Sequence, residues 1–239
     1  MTAHKILVLN GPSYAGPVKG LGEIVTVGQH DFISYPEKYK LILFTGGADI
    51  SPGYYGDSSP NGLCMSNPNR DVYEKQVFLT AFKRQIPMAG ICRGLQFINV
   101  MAGGKMIHHL AGHEGGLMHL IETVTGIETH VNSLHHQAVL LPDEARVFAW
   151  SKNRLAGAYY GNRDAEFDYK GLEIEAAIYP KQRAFGVQWH PEYMSKGFEG
   201  FDLFRRMVID IMDLPMDKFV EKYTGTGNDT VHQSAGSLQ

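Results

Sequence analysis

Cysteine is almost absent, with two residues, Cys64 and Cys92, in a chain of 239. They share neither a CxxC nor a Cys/His finger spacing, and two thiols cannot build a disulfide framework. An excess of one charge is lacking too: 22 Lys and Arg face 25 Asp and Glu, a formal net charge of -3. So balanced a chain has no general field for polyanions, which argues against nucleic acid as a partner. No apolar run approaches the ~18 residues of a membrane span. Met1–Lys5 passes straight into the apolar Ile6–Leu9 with no stretch resembling a leader, so the reading predicts a cytoplasmic protein without a membrane partner. With 44% hydrophobic and 20% charged residues, composition excludes disordered, coiled-coil and collagen-like chains.

What is present is a series of short β-branched apolar runs: Lys5–Leu9, Glu23–Val27, Leu41–Phe44, Pro87–Ile91, Leu120–Thr125, Ala138–Leu141, Leu172–Tyr179 and Ala184–Trp189. Several are nearly continuous, as suits strands covered on both faces. Between them lie helical patterns. Asp71–Gln85 places Val72, Val77, Leu79 and Phe82 on one face, with Asp71 and Glu74 complementing the dipole of its first turn. Gly94–Met101 runs into Gly103-Gly104, and Phe198–Met212 is strongly amphipathic. The pattern predicts a three-layer α/β domain over residues 1–223 with a mostly parallel, flavodoxin-like central sheet. The polar, Gly/Ser-containing stretch 224–239 reads as a frayed tail.

The chemistry concentrates in Ile86-Pro87-Met88-Ala89-Gly90-Ile91-Cys92-Arg93-Gly94. A strand enters a Gly-x-Cys-x-Gly turn and a helix follows at once, the cysteine counterpart of a nucleophile elbow. Side chains at Gly90 and Gly94 would collide with the elements that meet there. A helix N-terminus favours a reactive thiolate at Cys92. It also aims the Arg93 N–H at the position of a developing oxyanion. A cysteine nucleophile needs a base and the base an orienting partner. Gly186-Val187-Gln188-Trp189-His190-Pro191-Glu192 supplies both. Residues two apart in extended chain point to the same side, so Glu192 can hold one nitrogen of His190 while the other faces Cys92.

Gly90–Gln96 and Gly186–Glu192 resemble the class I glutamine amidotransferase-like superfamily. Further matches point to its γ-glutamyl hydrolase-type peptidase branch, which includes γ-glutamyl-γ-aminobutyrate hydrolases. They are Thr45-Gly46-Gly47-Ala48-Asp49-Ile50-Ser51-Pro52, Arg70-Asp71-x-x-Glu74, Gly103-Gly104-Lys105 and Asn132-Ser133-Leu134-His135-His136-Gln137. The resemblance implies a Cys92–His190–Glu192 triad and an oxyanion hole from the backbone of Gly47 and Arg93. It also implies a glutamyl-binding role for Gln96 and a pocket lining that includes Asn132, Ser133 and His135. A glycine pair after a buried strand agrees with close backbone approach at Gly47. Asp49 is expected to brace its own loop.

The implied chemistry is cleavage of a γ-glutamyl amide through a thioester, with no cofactor and no metal. Two alternatives stand beside it: a glutaminase subunit feeding ammonia to a partner synthetase, and a non-catalytic glutamine-binding module. A homodimer is a further possible partner. Only Asn10–Gly22 separates the first two strands, where relatives place a full helix. Arg93 after the nucleophile matches the hydrolase branch. His108, His109, His113 and His119 have neither the His-Glu-x-x-His spacing nor that of a facial triad. They are expected to form a polar rim above the pocket. Cys64 lies among turn residues with no base near it in sequence and is expected to be inert.

Overall fold

The computed structural model describes residues 4–26 and 31–225. The expectations for Val27 and for 226–239 lie outside the described residues. The expected apolar runs, joined by two strands the pattern did not mark (β6 and β7), form a nine-stranded sheet: β1 Lys5–Val8, β2 Glu23–Thr26, β3 Tyr39–Phe44, β4 Met88–Ile91, β5 Leu117–Thr123, β6 Glu128–Ser133, β7 Arg146–Ser151, β8 Ile174–Tyr179 and β9 Ala184–Val187. The spatial order is β2-β1-β3-β4-β9-β8-β7-β5-β6. The first five run parallel. The last four extend the sheet by antiparallel pairings. Ala138–Leu140, expected among the strands, pairs instead with Lys105–Ile107 in a separate ribbon.

Alternation along each strand sends side chains to two cores. Leu7, Ile42, Phe44 and Met88 pack beneath α1 Pro68–Arg84 and α2 Arg93–Met101. Ile6, Val8, Leu43 and Phe185 pack beneath α3 Glu199–Asp213 and α4 Met216–Thr224. The result is the three-layer α/β arrangement. Short 3-10 segments replace longer elements at several junctions, and Pro12–Val18 fills the short β1–β2 connection.

The face of α1 differs from expectation. Val72 and Leu79 are about half exposed, whereas Asp71 and Glu74 are buried with Val77, Phe78 and Ala81. The reason is charge pairing: Arg93 reaches both carboxylates from the start of α2. Paired charges can be interior where lone ones cannot. Next to Arg93, at the same end of the helix, α2 seats so closely on the sheet that glycine is required. A Cβ on Gly94 would stand 2.2 Å from the Phe44 carbonyl oxygen, and one on Gly90 would stand 2.5 Å from the Leu95 nitrogen.

Gly94→Ala should therefore destabilise the fold by about 3 kcal/mol or more, since its obstacle is backbone. Gly53→Ala, which meets nothing within 4 Å, should change stability by no more than about 0.5 kcal/mol. Denaturant unfolding of both variants checks the contrast.

Candidate active site

Cys92 closes β4 and opens α2 with φ 52° and ψ -110°. This left-handed backbone is rare for a residue with a side chain. Its N–H donates to the Val187 carbonyl at 2.8 Å, and its carbonyl accepts from Gln96 N–H at 3.2 Å. The thiol stands at the carboxyl end of the parallel strands, where open α/β sheets bind ligands.

His190 follows β9, and its Nδ1–H donates to Glu192 Oε1 at 2.6 Å. Both amide ends of Asn132 grip the same residue: Oδ1 accepts His190 N–H at 2.8 Å and Nδ2 donates to its carbonyl at 2.9 Å. The ring lies against Tyr193, centroids 5.4 Å apart and nearly parallel. Burial disfavours the imidazolium, but interactions with Cys92 and then Glu192 outweigh it and raise the His190 pKa to about 10. Tyr14, from the Pro12–Val18 segment, stands on the other side with its ring centroid 6.5 Å away. Burial, with Glu192 and Cys92 nearby, pushes its phenol up to about 12, so it stays protonated as a donor.

The loop after β3 completes the front of the site. A Cβ on Gly46 would meet Tyr14 Oη at 2.8 Å and His190 Cε1 at 2.9 Å. Gly47 has φ +125°, and a Cβ there would meet Arg70 Nη1 at 2.5 Å. Arg70 donates to the carbonyls of Gly46 and Thr45, both at 2.8 Å, and to Glu74 Oε1 at 2.7 Å. Glu74 in turn accepts from the buried Arg93, as does Asp71. Asp71 also accepts from the N–H and hydroxyl of Ser51. An ion-pair chain thus ties the elbow to the loop that carries Gly47.

Gly47, Cys92, Gln96 and His135 share a cavity of about 250 Å³, walled on its outer side by Met65 and Leu134. Gln96 Nε2 donates toward Gln137 O and Gln188 Oε1, both at 3.3 Å. Roomier depressions near Arg146 and Met216 and near Arg154 and Tyr169 contain no cysteine or histidine among their lining residues. Asn132 and Ser133 stand outside the residues lining the cavity. Asn132 is spent on His190, and Ser133 Oγ donates to the His113 carbonyl at 2.8 Å. Asp49 braces its loop by accepting from Met65 N–H at 2.8 Å, and it meets His136 as well.

Two expectations need correction. Cys64 does have a base beside it: His108 contacts its thiol and is flanked by Asp164 and Asp57. Burial lowers the His108 pKa, but Cys64 and the two carboxylates together raise it to about 9. Sequence distance concealed this, since Asp164 is 56 residues beyond His108. The histidines, too, do not form a rim. His108 and His113 are fully buried and His119 nearly so, because buried carboxylates receive them. Tyr14 and the Arg70 brace also escaped the sequence reading. Arg70-Asp71-x-x-Glu74 was visible as a motif, but nothing in Tyr14's irregular surroundings marked it.

The folded surroundings of His190 raise its affinity for a proton above that in the unfolded chain. Its stabilisation should be complete below about pH 6.5 and fade as pH rises toward 10. Unfolding free energies from pH 6 to 10 should show that decline in the native chain and a shallower one in His190→Gln.

Comparison with known proteins adds to this geometry. Residues 24–125 match the Peptidase C26 family. The glutamine amidotransferase-like protein YvdE of Lactococcus lactis is 32% identical over 63% of this chain and 65% of its own length. A gamma-glutamyl-gamma-aminobutyrate hydrolase of Shigella flexneri is 26% identical over 70% of this chain and 71% of its own. The chain spans only 54% of the length of a Mycobacterium tuberculosis glutamine amidotransferase to which it is 30% identical. Among solved structures, PurLQS from Thermotoga maritima superposes with TM-score 0.57 at 15% identity, covering 88% of this chain and 97% of that one. No helix among the described residues is long and apolar enough to cross a membrane. The chain is thus similar to the Peptidase C26 family over residues 24–125 and shares its fold with solved structures that include a glutamine amidotransferase from Thermotoga maritima.

Proposed function

We propose that the chain is a cysteine hydrolase of γ-glutamyl amides, working through a thioester on Cys92. The observation that carries this reading is the left-handed Cys92 at a helix N-terminus with the His190–Glu192 pair against its thiol. The Cys92 sulfur attacks the side-chain carbonyl of the γ-glutamyl group. Negative charge gathers on the carbonyl oxygen, where the N–H groups of Gly47 and Arg93 stabilise it. His190 gives its proton to the departing amine. It then takes one from water, which hydrolyses the thioester and frees glutamate and the thiol. Glu192 keeps the imidazole oriented, and Asn132 fixes the backbone that carries it. Gln96 and His135 line the space for the glutamyl end.

Relatives named for hydrolysis of γ-glutamyl-γ-aminobutyrate and γ-glutamyl-CDP-amidate support a γ-glutamyl substrate. The exposed outer wall formed by Met65 and Leu134 suits a site that is strict toward the acid and permissive toward the amine. The alternative, delivery of ammonia to a synthetase, draws on fold neighbours such as a GMP synthase subunit from Thermoplasma acidophilum.

Cys92→Ser should abolish both turnover and labelling by a glutamine-mimicking electrophile, whereas Cys64→Ser should keep both. Label on Cys64 alone would overturn the reading. Glu192→Gln should lower kcat by about 10²–10⁴. With the glutamyl group constant, exchanging ammonia for γ-aminobutyrate or a polyamine should alter the rate far less than shortening the acid to β-aspartyl. Comparable β-aspartyl turnover would defeat the assignment, and strict dependence on an added synthetase would move it to the ammonia-supplying class.

A further inference from the structure

Behind the cavity wall lies a buried cluster of which the proposed reaction uses only His135, as part of the cavity lining. Glu175 of β8 is fully buried, and three imidazoles converge on its Oε1. His119 Nε2 stands 3.1 Å away, His113 Nδ1 3.5 Å and His135 Nε2 3.6 Å. The donor atoms of His113, His119 and Glu175 all lie within 4.8 Å of one another. The four residues come from four separate segments: the loop before β5, β5 itself, the loop after β6, and β8.

The polar atoms at the centre are not all paired. The Gln137 carbonyl can only accept, so the His135 Nδ1 at 2.9 Å carries the hydrogen. That leaves Nε2 facing Glu175 with no hydrogen-bond partner, and Glu175 Oε2 and His119 Nδ1 are also buried without one. With its hydrogen on Nδ1, the neutral ring presents the Nε2 lone pair to a carboxylate oxygen. Two acceptors turned toward each other in a dry interior are unfavourable unless a cation stands between them.

The outer partners suit a metal as well. Glu173 Oε2 takes the Nε2–H of His113 at 3.0 Å, which leaves Nδ1 facing Ser133 Oγ at 3.0 Å and Glu175 Oε1 at 3.5 Å. Glu173 is itself held by Tyr159 and by the N–H groups of Leu155 and Ala156. Carboxylates and carbonyls behind ligating histidines are the usual second layer of a metal centre. Tetrahedral zinc with bonds of about 2.0–2.1 Å separates its ligand atoms by about 3.3 Å, and the three nitrogen–oxygen separations bracket that value. Imidazoles with one carboxylate select zinc-class ions over magnesium or calcium, which take oxygen ligands.

We propose that His113, His119 and Glu175 bind one divalent zinc-class ion, with His135 against the same carboxylate oxygen, and that the ion pins the cavity wall to β8. The site is connected to the reaction centre without being part of it. The Glu175 carbonyl accepts Gln188 N–H at 2.7 Å, two residues before His190. His135 also lines the cavity that holds Cys92. The bound ion fixes the position of that wall.

The test uses the full chain without an affinity tag, stripped with a chelator and dialysed against zinc. Elemental analysis should find about one zinc per chain, and cobalt in its place should give the visible bands of a tetrahedral site. The double variant Cys64→Ser, Cys92→Ser should bind as the native chain does, which keeps the readout independent of the proposed hydrolysis. His119→Ala and Glu175→Gln should lose the ion. Glu173→Gln, a milder change behind His113, should weaken zinc about 10- to 100-fold in a chelator competition. Should His119→Ala or Glu175→Gln fail to fold, the cobalt spectrum of the native chain and the Glu173→Gln affinity still decide. A native chain that retains no zinc, or one whose zinc is lost with the two cysteines, overturns the proposal and leaves a protonated His–Glu hub.

Discussion

The backbone of Cys92 is the constraint on which the rest of the site depends. A side-chain-bearing residue at φ 52° and ψ -110° is strained by an amount on the order of 1–3 kcal/mol, and such strain persists only where its surroundings over-determine it. Here the Val187 carbonyl takes the Cys92 N–H, and α2 lies so close to β3 and β4 that only glycine fits at the contacts. The sharp turn lifts the thiol out of the sheet and places it at the first turn of a helix. Everything else in the site is arranged around that point.

Buried charge, more than apolar packing, holds the two halves of the site together. Arg93 follows the strained residue and sends its side chain into Asp71 and Glu74 of α1. Glu74 passes the link to Arg70, which clasps the carbonyls of Thr45 and Gly46. Removing one partner of such a buried pair costs about 3–5 kcal/mol, because it strands the other charge. Hydrogen-bonded ion pairs are directional where apolar contacts are not. That directionality fixes the loop carrying Gly47 relative to the elbow. The second buried polar cluster, around Glu175, joins the antiparallel half of the sheet to the same cavity wall.

Much of the fold was legible because its signals are local. Continuous apolar runs revealed the parallel strands, and the glycine-flanked cysteine marked the elbow. Strands such as Glu128–Ser133 were hidden because polar residues in them are buried: Thr129 donates to Glu199 and Asn132 to His190. Hydrophobic periodicity cannot register a buried asparagine. The same blindness misassigned the face of α1, where Val72 and Leu79 were preferred to the interior Asp71 and Glu74.

The sequence alone determined the strand-to-helix turn, the glycines that permit it, and the His190–Glu192 pairing two residues apart, since each depends only on neighbours along the chain. Tertiary structure decided which distant groups met. It brought Tyr14 to the flank of His190, turned Asn132 from the cavity to the backbone of His190, and gave Cys64 a histidine and a carboxylate. It also gathered His113, His119 and His135 on Glu175. Those meetings depend on the order in which strands pair and on buried charges finding partners, and neither leaves a periodic trace in the sequence.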